Sequence, residues 1–119
     1  MMQQWLLVGL GGAAGSMLRF AGQKLLPAQS FPYGTFAVNI TGCLLIGIFW
    51  ALFQKGVINT EGRLLLMTGL CGGFTTFSAF TLESIQLLQS GRTIPFILYL
   101  TTSLVLGLLA TFCGYKLFH

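Results

Sequence analysis

Four long apolar stretches, about Trp5 to Leu26, Tyr33 to Phe53, Leu64 to Leu88 and Ile94 to Leu117, alternate with short polar connections along the chain. Each matches the roughly 20 mostly apolar residues that a helix needs to cross a bilayer. The connections, Pro27 to Pro32, Gln54 to Gly62 and Gln89 to Thr93, hold most of the turn-formers and polar residues. The pattern predicts an all-α membrane protein with four transmembrane helices per subunit, a single transmembrane domain over residues 1–119. No internal repeat stands out, so any two-fold symmetry has to come from a second copy.

Composition agrees with the membrane setting, since 55% of residues are hydrophobic, 7% are charged and the mean hydropathy is +0.84. The chain holds two carboxylates and one histidine, His119 at its very end, which argues against an acid/base enzyme, a zinc site or a catalytic triad. Cys43, Cys71 and Cys113 fall in three different apolar spans without metal-ligand spacing and are expected to pack. No basic residue precedes the first apolar run, so that run reads as a retained helix and not a cleavable leader. Neither end carries a lipidation pattern.

A net charge of +4 reads as membrane-flanking lysine and arginine, with no nucleic-acid partner implied. With four spans, Lys55, Arg63 and Lys116 fall on one side, and Lys24 and Arg92 on the other, joined by Arg19 if it snorkels outward. Orientation follows the lysine and arginine excess in short loops, and here the two sides nearly balance. Dual topology is therefore expected, with copies inserting both ways and pairing antiparallel.

The third span carries the segment Gly69-Leu70-Cys71-Gly72-Gly73-Phe74-Thr75-Thr76-Phe77-Ser78-Ala79-Phe80. Irregular backbone at membrane depth survives only where it is buried in protein or lines a watery cavity. Gly72-Gly73 suits the left-handed end of one half-helix, leaving carbonyls without partners. Thr75, Thr76 and Ser78 suit capping of the next half-helix. Free carbonyls at a broken membrane helix attract a cation, although a packing kink without an ion would look the same. Phe77 and Phe80 share a face just after the break, and aromatic ring edges are electropositive enough to hold a small anion. Glu83, one turn on, is expected at a vestibule or interface, because an unpaired carboxylate is expensive in lipid.

Other spans add polar positions. Gly11 and Gly15, four apart, allow close helix approach within or between subunits, while Arg19 suits either interfacial anchoring or attraction of anions into a vestibule. Thr35, Asn39 and Cys43 form a small-and-polar stripe beside Gly42, and the Asn39 carboxamide suits either anion solvation or a bond to a neighbouring helix. Tyr99, Ser103, Gly107 and Thr111 recur every four residues, giving the last span a face of hydroxyls interrupted by one glycine.

Taken in order and spacing, Gly11-Gly12-Ala13-Ala14-Gly15-Ser16-Met17-Leu18-Arg19-Phe20, Gly34-Thr35-Phe36-Ala37-Val38-Asn39-Ile40-Thr41-Gly42 and Gly72-Gly73-Phe74-Thr75-Thr76-Phe77-Ser78-Ala79-Phe80 resemble the CrcB/Fluc fluoride channels of microbial membranes. The resemblance covers essentially the whole chain. It implies a multi-pass protein of the bacterial cell (inner) membrane that passes fluoride outward and lowers its cytoplasmic level. It further implies an antiparallel dual-topology homodimer with two pores and a broken third helix. A central structural sodium ion would be held by the backbone carbonyls of Gly72 and Thr75 from each copy. Phe77 and Phe80 would be the pore phenylalanines, with Asn39, Thr76 and Ser78 as polar neighbours. Tyr99 and Ser103 would begin a hydroxyl track, Arg19 would serve a vestibule, and Glu83 would sit near a pore mouth. Ala79 and Gly107 depart from the family pattern, standing where hydroxyls are common. The competing expectation, a small proton-coupled multidrug exporter, would call for a membrane-buried glutamate in the first helix, where this chain has only Arg19 and Lys24 as charged residues.

Overall fold

Helix lengths in the computed structural model, which describes residues 1–27 and 30–119, follow the apolar stretches closely. Helix α1 is Met2–Leu25 and α2 is Tyr33–Gln54. The third apolar stretch is built in pieces: α3 is Thr60–Arg63, a π-helical segment covers Leu64–Cys71, α4 is Gly72–Phe74 and α5 is Phe77–Gln89. Helix α6, Thr93–Phe118, closes the chain. Part of the expected first connection, Ala28 and Gln29, lies outside the described residues.

Among the described residues three segments combine the length and apolar character needed to cross a membrane, with mean hydropathy 2.1 for Tyr33–Gln54, 1.4 for Thr60–Gln89 and 2.0 for Thr93–Phe118. Helix α1 has 24 residues, about 36 Å at the usual rise per residue, but differs from the other three in composition. Its glutamines, glycines, Arg19 and Lys24 dilute the apolar character that the sequence pattern suggested. Large apolar side chains remain exposed on the outside of the helices, among them Trp5 at 73% and Leu108 at 75%, as a lipid-facing or partner-facing surface requires.

Glycine decides which helices pair. Helix α1 packs chiefly on the π-helical segment and α4, and α2 packs chiefly on α6. A Cβ at Gly15 would meet the Leu70 carbonyl oxygen and lie 2.7 Å from the Phe74 nitrogen, while one at Gly73 would lie 2.5 Å from the Gly12 carbonyl oxygen. On the other seam, a Cβ at Gly47 would run into the Thr111 backbone and one at Gly114 into that of Leu44. The small-residue spacing of α1 therefore serves contact within one chain, backbone against backbone.

Helix ends are set by a repeated device. After α2, Gly56 takes φ 80° and the Gly56 and Val57 N–H groups donate to the Phe53 and Leu52 carbonyls, each at 3.0 Å. After α5, Gly91 takes φ 80° and the Gly91 and Arg92 N–H groups donate to the Leu88 and Leu87 carbonyls at 3.1 and 2.9 Å. Both are Schellman ends that satisfy otherwise orphaned carbonyls, and only glycine enters that left-handed region without strain.

Side-chain bonds tie the ends of the bundle together. Tyr115 donates through its hydroxyl to Gln54 Oε1 at 2.7 Å, and Gln3 donates through Nε2 to Glu61 Oε2 at 2.9 Å. Both chain ends thus lie beside the α2–α3 connection, where the Arg63 guanidinium sits 5.6 Å from the Trp50 ring centroid and 5.0 Å from that of Phe53. Lys55, Arg63 and Lys116 share this end, as the charge pattern anticipated. Arg19 does not join Lys24 and Arg92 at the opposite end, because its side chain turns inward.

A broken helix beside a half-open cavity

The third segment breaks two residues later than the glycine pair. Gly72 is right-handed, at φ −62° and ψ −37°, and among the described residues only Gly56 and Gly91 have positive φ. The expected left-handed end at Gly72-Gly73 is corrected accordingly: Gly73 is needed for close approach to α1, which a helical backbone already provides. The interruption itself consists of Thr75 at φ −86°, ψ 157° and Thr76 at φ −148°, ψ 117°, both extended.

Each polar group at the break has a specific fate. The Thr76 N–H, which in an unbroken helix would donate to the Gly72 carbonyl, donates instead to Asn39 Oδ1 at 2.7 Å. Asn39 Nδ2 donates in return to the Thr76 carbonyl at 3.0 Å. One carboxamide thus takes the place of two helical bonds and joins α2 to the break. Thr76 Oγ1 accepts from the Ala79 N–H at 3.1 Å, capping α5 as its position suggested, and lies 3.3 Å from Ser78 Oγ. Thr75 Oγ1 donates back to the Cys71 carbonyl at 2.9 Å. Arg19 Nε donates to the Gly73 carbonyl at 3.1 Å from a half-buried position.

Two oxygens are left over. Among the described residues no hydrogen bond reaches the carbonyls of Gly72 or Thr75. Uncharged main-chain oxygens of this kind match the ligand preference of a hard cation. Gly72 is exposed on the single chain, and a Cβ there would meet nothing closer than 4.0 Å, so its backbone is open to approach from outside.

Beside the break lies a cavity of about 400 Å³ whose lining includes Asn39, Gly72, Thr75, Phe77, Phe80 and Ser103. Phe77 and Phe80 are neighbours, ring centroids 5.7 Å apart, yet they differ in setting: Phe80 is 6% exposed and Phe77 74%. Phe80 sits edge-on to Tyr99 at 5.0 Å. Ser103 Oγ is buried and has no hydrogen-bond partner among the described residues.

The hydroxyl face of α6 is only partly open. Tyr99 is fully buried, and its hydroxyl donates to Glu83 Oε1 at 3.1 Å. Further along, the Thr111 hydroxyl donates to the Cys43 carbonyl on α2 at 2.9 Å, and Gly107 is buried with Cys43 Sγ 3.4 Å from where its Cβ would stand. Ser103 alone of this row keeps an unspent hydroxyl facing the cavity.

Glu83 is not left unpaired. Thr35 Oγ1 donates to its Oε2 at 2.9 Å, and Gln23 Nε2 donates to Thr35 Oγ1 at 3.0 Å. A polar chain from α1 through α2 to α5 and α6 results, which is how a carboxylate is kept in an apolar span. Sequence reasoning missed Gln23 and the pairing of Thr35 with Glu83. The available signal was the requirement that a membrane carboxylate find donors, and Thr35 and Tyr99 were already marked as hydroxyl positions.

A helical protein with an apolar exterior, an interrupted spanning segment and polar groups gathered at the break belongs to the multi-pass membrane proteins. Residues 6–115 match the family model described as CrcB-like protein, Camphor Resistance (CrcB), and the chain belongs to that family. A relative from Phocaeicola vulgatus is 50% identical over 116 residues, covering 95% of this chain and 96% of its own length. Relatives from Aquifex aeolicus and Thermus thermophilus are 47% and 44% identical, the first covering 92% of both chains, the second 98% of this one and 95% of its own. All three are named fluoride-specific ion channel FluC. The resemblance read from the three sequence blocks is thereby borne out.

Proposed function

We propose that the protein is a fluoride-selective ion channel, not an enzyme, which carries fluoride passively and electrogenically out of the cell and so lowers cytoplasmic fluoride. The observation that carries this reading is the break at Thr75 and Thr76, spliced by Asn39 and opening on a cavity that Phe77, Phe80 and Ser103 line. The shared name of the relatives supports the same conclusion.

The working form is an antiparallel homodimer with four spans per copy, α1 included, and two pores. The exposed Gly72 carbonyl and the unbonded Thr75 carbonyl of each copy would hold a sodium ion between the two breaks. That ion would supply positive charge and fix the two interruptions against each other. Within this chain, Phe77 and Phe80 present ring edges to a partly dehydrated anion, which is held without a full countercharge and so remains free to leave. Asn39 keeps the break open, while Thr76, Ser78 and Ser103 offer hydroxyls next to the rings. Arg19 biases the break toward anions. Glu83, Thr35 and Tyr99 form a fixed polar wall behind Phe80, at the mouth where Arg92 also lies.

Liposomes holding the purified protein test the reading directly. Fast electrogenic fluoride efflux is expected, with none in chloride-loaded vesicles, and it should weaken after dialysis into sodium-free buffer. Proton-coupled drug uptake would establish an exporter instead, and indifference to sodium would remove the cation from the scheme. Dual topology has its own check. A C-terminal reporter active on only one face should label roughly half of the copies, and a single orientation for all copies would end that part of the proposal.

A further inference from the structure

Three sulfur-bearing side chains line the same cavity. Cys43 comes from α2, and Met67 and Cys71 come from the π-helical segment, so two thiols and a thioether line one half-open space. Neither thiol is in a disulfide. Met67 and Cys71 stand four residues apart on that segment, and both reach the cavity lining that Cys43 shares from α2. Among the described residues no group of three histidines, cysteines or carboxylates is poised to hold a metal. Zinc, which seeks four such ligands, and calcium or magnesium, which seek six or more oxygens, are therefore poorly served here. Soft cations differ, because thiolate and thioether ligands select them.

We propose that Cys43 and Cys71, assisted by Met67, form a binding site for a soft, thiophilic d¹⁰ cation in the cavity wall. Burial favours a neutral product, and a divalent ion with two thiolates meets that condition. Each S–H gives its proton to water as its S–metal bond forms: two thiols and one divalent cation yield one neutral bis-thiolate and two protons. The unpartnered Ser103 hydroxyl lies in the same lining and can turn its lone pairs toward the bound ion. Because this cavity also holds Phe77 and Phe80, occupancy is expected to block conduction; that consequence, unlike the site itself, rests on the function proposed above.

Mercuric ion is the probe, and the parent is the C113S protein, which lacks the exposed third thiol. The detergent-purified parent should retain one mercuric ion per chain through desalting in excess 2-mercaptoethanol and release two protons on loading. C43S and C71S should each release one proton and lose retention by at least about 100-fold, more than outer-shell changes at metal sites cost. C43A and C71A, with monodispersity checked by gel filtration, replace either serine variant that fails to fold. M67L should retain the ion but surrender it at lower competitor concentration. Retention by C43S or C71S equal to the parent's, or a parent that loses its mercury to the competitor, overturns the site. Vesicles separate the two ideas: a parent that binds mercury as described but carries no fluoride before loading overturns the channel reading alone.

Discussion

Phe80→Ile should cut fluoride flux at least about tenfold, and Phe77→Ile should do the same, while both proteins elute as dimers. A tenfold loss corresponds to about 1.4 kcal/mol of barrier, within reach of a quadrupolar contact in a desolvated site. Isoleucine keeps apolar bulk and removes only the electropositive ring edge. The two residues also separate conduction from folding. Phe80 is buried and edge-on to Tyr99 at 5.0 Å, so its replacement should cost about 1 kcal/mol of stability as well. Phe77 is 74% exposed on the single chain and makes no such contact with Tyr99, so its replacement should leave chain stability nearly unchanged. Thermal unfolding in detergent and fluoride efflux from vesicles, measured on the same preparations, test this. Normal flux in both variants would remove the ring edges from the mechanism, and flux that merely tracks stability would reduce Phe80 to a packing residue.

Asn39→Leu should be the most destabilising single change in the polar interior. It strands the Thr76 N–H and carbonyl, which Asn39 now satisfies at 2.7 and 3.0 Å. Each backbone group left without its partner costs about 1–3 kcal/mol, so a total of about 2–6 kcal/mol is expected for the two. Asn39→Asp retains an oxygen for the Thr76 N–H but offers no N–H to the Thr76 carbonyl, so it should fall between the wild type and leucine. Unfolding midpoints in detergent order the three proteins. A leucine variant as stable as wild type would mean that the break repairs itself by closing into a helix, and Asn39 would then not be what holds it open.

The helical content and the location of the interruption were legible from apolar run lengths and from threonines where a spanning helix wants none. Capping by Thr76 was legible too, because a hydroxyl ahead of an apolar helix has a short list of uses. The role of Gly72-Gly73 was misjudged for a physical reason: a missing Cβ permits a left-handed turn and permits close approach, and the spacing within one segment cannot tell them apart. Only the partner surface at Gly12 decides. The π-helical winding of Leu64–Cys71 left no mark in residue types, since leucines and a methionine suit either winding, and with it the placing of Met67, Cys71 and Cys43 around one cavity was out of reach. The expense of an unpaired carboxylate in lipid says that Glu83 needs donors but not which ones; Thr35 on α2 and Tyr99 on α6 supply them, and only the packing of those helices reveals the pairing.

Where α1 meets the spliced segment, glycine faces main chain with no flexible side chain between them, so neither rod can shift without moving its neighbour. Arg19 is thereby moored to the Gly73 oxygen at a set depth. The positive charge beside the interruption is in this way tethered to main chain that the glycine seam holds in place, and the tether should persist through substitutions along the lipid-facing flank of α1.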